Sequence, residues 1–152
     1  MTEECREMER RLVSCGGALE DFRPEDPGQI AACMGADLII DALLGVGLSR
    51  LVEGDFRAAI LLMNESAAPV LSADIPSGVE ADTGRILGEA VQATRTATFT
   101  TAKVGLFVGK GAICAGKVVN VPIGVPSECI EQEEVPLRTT ERLHLPRRPR
   151  DT

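Results

Sequence analysis

Apolar positions recur along this chain with two different periods. In residues 4–14, Met8, Leu12 and Val13 share one face of a charged helical pattern. DFRPEDPG (21–28) is loop chemistry, and a short helix follows through Ile30, Ala31 and Met34 until Gly35 stops it. The stretch ADLIIDALL then sets Leu38, Ile39 and Ile40 on consecutive apolar positions, which predicts a strand covered on both faces. Between Glu53 and Ala67, Phe56, Ala59, Ile60 and Met63 fall at i, i+3, i+4 and i+7, the spacing of a helix packed on a sheet. Val70 to Ala73 read as a second buried strand, ended at Asp74 and broken by Pro76 and Gly78. TATFTT (96–101), VGLFVG (104–109) and KVVNVPIG (117–124) read as late strands.

Strand, helix and strand within roughly 35 residues make a βαβ unit with parallel strands and a right-handed crossover, so the fold class is α/β with a mainly parallel sheet. Asp41 and Asp74 then stand near the carboxyl ends of their strands. If those strands are neighbours, the two acids lie about 5 Å apart laterally, at the sheet edge where open α/β folds bind ligands. Asp41 could equally cap the turn after its strand. The turn Pro76–Ser77–Gly78 brings the Ser77 hydroxyl and backbone carbonyls toward the acids, a hard-oxygen cluster suited to a cation. Alternatively, two close acids split their pKa values and leave one as a general acid or base.

The loop GVGLSR (45–50) is G-x-G-x-x-R and misses the third glycine of the dinucleotide fingerprint. Its chemistry still suits a phosphate: Gly45 and Gly47 permit close backbone approach, a helix N-terminus follows, and Arg50 adds a fork of donors. A plain strand-to-helix turn with a surface arginine is the alternative. Lys103 could face the same sheet edge and meet a phosphate or carboxylate, or be an ordinary surface lysine.

Composition narrows the classes. With 152 residues, 44% hydrophobic and 26% charged, the chain fits one soluble globular domain. No run of 18 apolar residues occurs and the charged start MTEECREMERR lacks the layout of a signal peptide, so no membrane span is expected and the cytoplasm is the expected location. The five cysteines are scattered without a C-x-x-C pair, which argues for reduced thiols and against a disulfide framework or zinc site. A net charge of −7 argues against a nucleic-acid partner. The basic tail with Arg138, Arg142, Arg147, Arg148 and Arg150 is broken by prolines and reads as a linker. His144, the single histidine, lies there too, so no histidine-based catalysis or metal site is expected.

ADLIIDALLGVGLSRLVEGDF, APVLSADIPSGVEADTGRILGEAV and TFTTAKVGLFVGKG together resemble the NAD(P)HX epimerase family, the YjeF N-terminal-type domain, over roughly residues 35–125. The resemblance implies a Rossmann-like three-layer α/β/α domain that interconverts the R and S epimers of hydrated NADH or NADPH and holds a potassium ion. By matching motif, Asp41 and Ser77 would be potassium ligands. Gly45, Val46, Gly47, Leu48, Ser49, Arg50, Leu51 and Asp74 would contact the hydrated dinucleotide, with Asp74 as the catalytic acid/base.

The family's opening strand and Asn- and Gly-rich loop have no counterpart before residue 35, so the chain is expected to lack its first βα units. Val46, Phe56 and Val79-Glu80 depart from the usual threonine, tyrosine and Leu-Asp. The expected organisation is a partial helix and loop region (1–35), an epimerase-type core (36–127) and a linker (128–152). LHLPRRPRDT resembles the approach to a fused ADP-dependent dehydratase domain. A homodimer is one assembly the sequence leaves open, and the alternative function is a non-catalytic binding or dimerisation module.

Overall fold

A computed structural model describes residues 3–131, and the basic tail with His144 lies outside them. The elements are α1 (Glu3–Ser14), α2 (Pro27–Met34), β1 (Ile39–Asp41), α3 (Gly54–Glu65), β2 (Val70–Ala73), β3 (Arg95–Phe99), α4 (Gly111–Cys114), β4 (Lys117–Val121) and α5 (Ser127–Glu131). The four strands form one parallel sheet in the order β1-β2-β3-β4. This is the Rossmann-like α/β arrangement expected from the sequence.

The order dictates where the core sits. When every strand is laid beside its predecessor and every crossover is right-handed, all connections pass over the same face of the sheet. Ile60 and Met63 of α3 accordingly pack with Val52, Val70 and Val91 and against Ile39. Farther along the same face, Ile75, Val79, Leu106, Cys114 and Ala115 form a second cluster that Val118 joins. The Thr96 hydroxyl ties β3 to the α4 turn through the Ala115 carbonyl at 2.7 Å.

The other face is open. Ile40 is 65% exposed and Val119 41% exposed, while Leu71, Ala73, Ala97, Phe99 and Val121 beside them are half-buried. The double cover expected for the first strand is therefore absent among the described residues. The apolar run Leu38–Ile40 reads as doubly buried, yet alternation in a three-residue edge strand turns Ile39 inward and Ile40 outward. α1 likewise buries no residue, with Met8, Leu12 and Val13 all exposed.

VGLFVG is not a strand. Val104–Leu106 forms a 3₁₀ turn. A Cβ on Gly105 would stand 2.3 Å from the Glu80 carbonyl oxygen, so this segment threads against neighbouring backbone and cannot carry an alternating face. Phe56 also departs from its expected place: Ile60 and Met63 are the buried residues of α3, while Phe56 is 46% exposed at the helix start. No helix among the described residues is long and apolar enough to cross a membrane.

Candidate active site

Asp41 ends β1 on the covered face and is 1% exposed. Its register partner on β2 is Ser72, whose hydroxyl donates to Asp41 Oδ2 at 2.7 Å. The Ser77 backbone N–H donates to the same oxygen at 2.9 Å, and the Ser77 hydroxyl donates to Oδ1 at 2.5 Å. The Leu44 N–H donates to Ser77 Oγ at 2.9 Å, and the Leu44 carbonyl oxygen lies 3.3 Å from it. Three chain segments thus converge on one carboxylate.

The turn that carries Ser77 is fixed by its backbone. Gly78 has φ +96°, and a Cβ there would fall 1.9 Å from the Glu89 carbonyl oxygen. That approach lets Val91 N–H reach the Ser77 carbonyl and Leu87 N–H reach the Gly78 carbonyl, both at 2.9 Å. Glycine is required here by both conformation and space.

This cluster is made of oxygen: the Asp41 carboxylate, the Ser77 hydroxyl and the Leu44 carbonyl. No cationic side chain among the described residues pairs with Asp41, and a carboxylate buried this deeply costs several kcal/mol unless compensated. The Ser72 and Ser77 donors meet the carboxylate, and the oxygens gathered around it are of the hard type that a group-one or group-two cation takes. No group of three or more His, Cys, Asp or Glu that could hold a metal ion occurs among the described residues.

Asp74 follows β2 with φ +68°, the left-handed region that non-glycine residues seldom enter. Its side chain meets the end of β3 and Lys103. Its Oδ1 accepts from the Phe99 N–H at 2.9 Å, from the Thr98 hydroxyl at 3.3 Å and from the Lys103 ammonium. Its Oδ2 takes no hydrogen bond from the described residues. Partial burial pushes the Asp74 carboxyl up, but the Lys103 ammonium and the Phe99 and Thr98 donors outweigh it and hold it below the ordinary value. Asp41 is thus held by serines and Asp74 by β3 and Lys103, and the two carboxylates share no hydrogen-bond donor among the described residues.

The loop Gly45–Leu51 crosses the same sheet edge. Leu48 N–H closes a turn on the Gly45 carbonyl at 3.2 Å, whereas the N–H groups of Val46, Gly47, Ser49, Arg50 and Leu51 meet no acceptor among the described residues. Leu44, Leu48, Arg50, Leu51, Glu53 and Phe56 line a cleft of about 460 Å³. Arg50 makes no ion pair with any described residue. The cleft meets the oxygen cluster through Leu44 and does not include Asp74.

Lys103 is the site residue on which the sequence left two readings open; its place on Asp74 settles the choice in favour of the sheet edge. Thr98, missed from the sequence, lies between them. Burial pushes the Cys33 and Cys114 thiols up, which argues against either as a nucleophile.

A parallel α/β sheet with an acid and hydroxyl cluster at the carboxyl ends of its strands defines a Rossmann-like α/β domain. Residues 1–105 match the family described as YjeF-related protein N-terminus, and the chain belongs to that family. It is 36% identical over 148 residues to a bifunctional NAD(P)H-hydrate repair enzyme of Thermofilum pendens, covering 97% of this chain and 28% of the relative. An NAD(P)H-hydrate epimerase of Limosilactobacillus fermentum is 46% identical over 84 residues, 55% of this chain and 40% of the relative. A bifunctional NAD(P)H-hydrate repair enzyme of Salinibacter ruber is 44% identical over 110 residues, 72% of this chain and 20% of the relative. The chain thus spans less than half the length of each of these relatives.

Proposed function

We propose that this chain is the epimerase part of an NAD(P)H-hydrate repair system, acting on hydrated NADH or NADPH. The observation that carries the reading is Asp74, a carboxylate fixed through one oxygen and open at the other, at the ligand-binding edge of the sheet. Epimerisation at C6 of the hydrated ring needs no net change of atoms or electrons. The base takes the C6 hydroxyl proton as the C6–N1 bond opens, its electron pair passes to N1, and the proton is delivered there. Closure on the opposite face of the new carbonyl reverses both transfers. Hydroxyl and N1 are attached to the same carbon, so one carboxylate suffices as shuttle, and Asp74 Oδ2 fills that role.

The unpaired N–H groups of Val46, Gly47, Ser49, Arg50 and Leu51, the close backbone approach at Gly45 and the Arg50 guanidinium are suited to the phosphates of the dinucleotide. Asp41 and Ser77 are the residues that would hold potassium, with the Leu44 carbonyl beside them. Bound there, potassium supplies a counter-charge to Asp41 and an anchoring point for ligand oxygen. A fused ADP-dependent dehydratase domain and a cytoplasmic setting with reduced thiols complete this reading.

The test is exchange between R- and S-NADHX and NADPHX followed by NMR or chromatography with potassium present. The chain should exceed the spontaneous rate, and Asp74→Asn should lose about 10²-fold or more. A rate equal to the spontaneous one refutes the proposal. The open sheet face favours a second reading, a homodimerisation module; sedimentation at equilibrium of the chain and of Ile40→Asp distinguishes it.

A further inference from the structure

We propose that Lys103 is a positioning residue for Asp74, one that selects which carboxylate oxygen works; the proposal rests on the epimerase reading above. The argument begins with donor arithmetic. A lysine ammonium has three N–H donors, and Lys103 Nζ faces three acceptors: Asp74 Oδ1, the Phe99 carbonyl at 3.0 Å and Thr98 Oγ1 at 3.3 Å. Nothing is left over for a phosphate or a substrate oxygen. Lys103 therefore acts through Asp74 and does not bind ligand itself.

The second part is geometric. All the donors to Asp74 reach Oδ1, and all come from the six-residue segment Thr98–Lys103. Asp74 sits on a left-handed backbone that its surroundings must hold in place. With Oδ1 saturated, Oδ2 becomes the one oxygen with lone pairs free for a proton. The side chains are one-fifth exposed, 18% for Lys103 and 21% for Asp74, so the pair is sheltered while the free oxygen keeps a path to ligand. Lys103 is the one charged group acting on Asp74 among the described residues.

The experiment compares the chain with Lys103→Met and Lys103→Gln in the epimer-exchange assay, across pH and substrate concentration. Both variants are expected to lose about 10²-fold in kcat with KM changed less than threefold, the effect of a misplaced catalytic group. The acid limb of the kcat profile should move to higher pH, because the base has lost its cation. A small alkylamine in solution should restore part of the rate to Lys103→Met. A structural role predicts neither the shifted limb nor the rescue. If wild type beats the spontaneous rate while both folded variants keep its kcat and acid limb, the Lys103 assignment is overturned and the epimerase reading stands. If wild type does not beat the spontaneous rate, the epimerase reading falls first and takes this one with it. If neither variant folds, the residue is structural and the assignment is also overturned.

Discussion

Replacing Thr100 by glycine should make the protein more stable, although it deletes a side chain. Thr100 has φ +60°, and its hydroxyl is buried without a hydrogen-bond partner among the described residues. A left-handed backbone costs an L-residue roughly 1–2 kcal/mol. An unsatisfied buried hydroxyl adds roughly 1–3 kcal/mol. Against these stand roughly 0.5–1 kcal/mol for the greater freedom of unfolded glycine and about 0.8 kcal/mol for the lost methyl contact. The backbone hydrogen bond from Thr100 N–H to the Val121 carbonyl is untouched. The balance is a gain centred on about 2 kcal/mol, equivalent to roughly 4–8 °C in Tm for a chain of this size. Urea titration followed by circular dichroism should show a higher midpoint at unchanged slope. Thr100→Ala keeps a Cβ on the left-handed backbone while removing the hydroxyl, so it should gain about half as much. If the glycine variant is no more stable than wild type and the alanine variant exceeds it, the conformational cost assigned to position 100 is refuted.

Other expectations follow from the same site. Asp41→Ala strands the Ser72 hydroxyl and the Ser77 N–H and should cost about 3 kcal/mol or more in urea titration; a loss below 1 kcal/mol would contradict the convergent network. Gly78→Ala must fit a Cβ 1.9 Å from the Glu89 carbonyl oxygen and should abolish or severely weaken cooperative unfolding, as read by calorimetry. The native pKa of Asp74 is depressed below its ordinary 3.8, so its contribution to stability is full above that value and lost as pH falls through the native one. Asp74→Asn should therefore show a flatter acid limb of stability below about pH 4. Potassium chloride should raise Tm above choline chloride at equal ionic strength, and Ser77→Ala should remove the difference.

The sheet was legible because short apolar runs beside glycine or proline carry a local signal, as at Val70–Ala73 after Pro69 and at Lys117–Val121 between Gly116 and Pro122. The segment 104–109 misled because its apolar content resembles a strand, while the backbone crowding around Gly105 that prevents one is a long-range property. Ile40 misled for a related reason: a run of three apolar residues does not reveal whether a second helical layer will cover it. At the site, Asp41, Ser77 and Asp74 were visible from their places after strands. The approach of Ser77 to Asp41 was also anticipated, whereas the tie of Asp74 to Phe99 and Lys103 was not, because it depends on a left-handed φ at Asp74 and on contacts with β3 that spacing alone does not reveal.

The stepwise strand order also bears on how the chain acquires its shape. Each strand pairs with the one that leaves the ribosome just before it, and each pairing closes a loop of roughly 20–30 residues. Among the described residues, no strand waits for a later one to be inserted beside an earlier neighbour. The sheet can therefore grow during synthesis by successive addition, each new strand docking on an edge already formed. Asp41 and Ser77 meet at the first addition, whereas Asp74 gains Phe99 and Lys103 only at the second, so a nascent chain acquires its oxygen cluster before the Asp74–Lys103 contact.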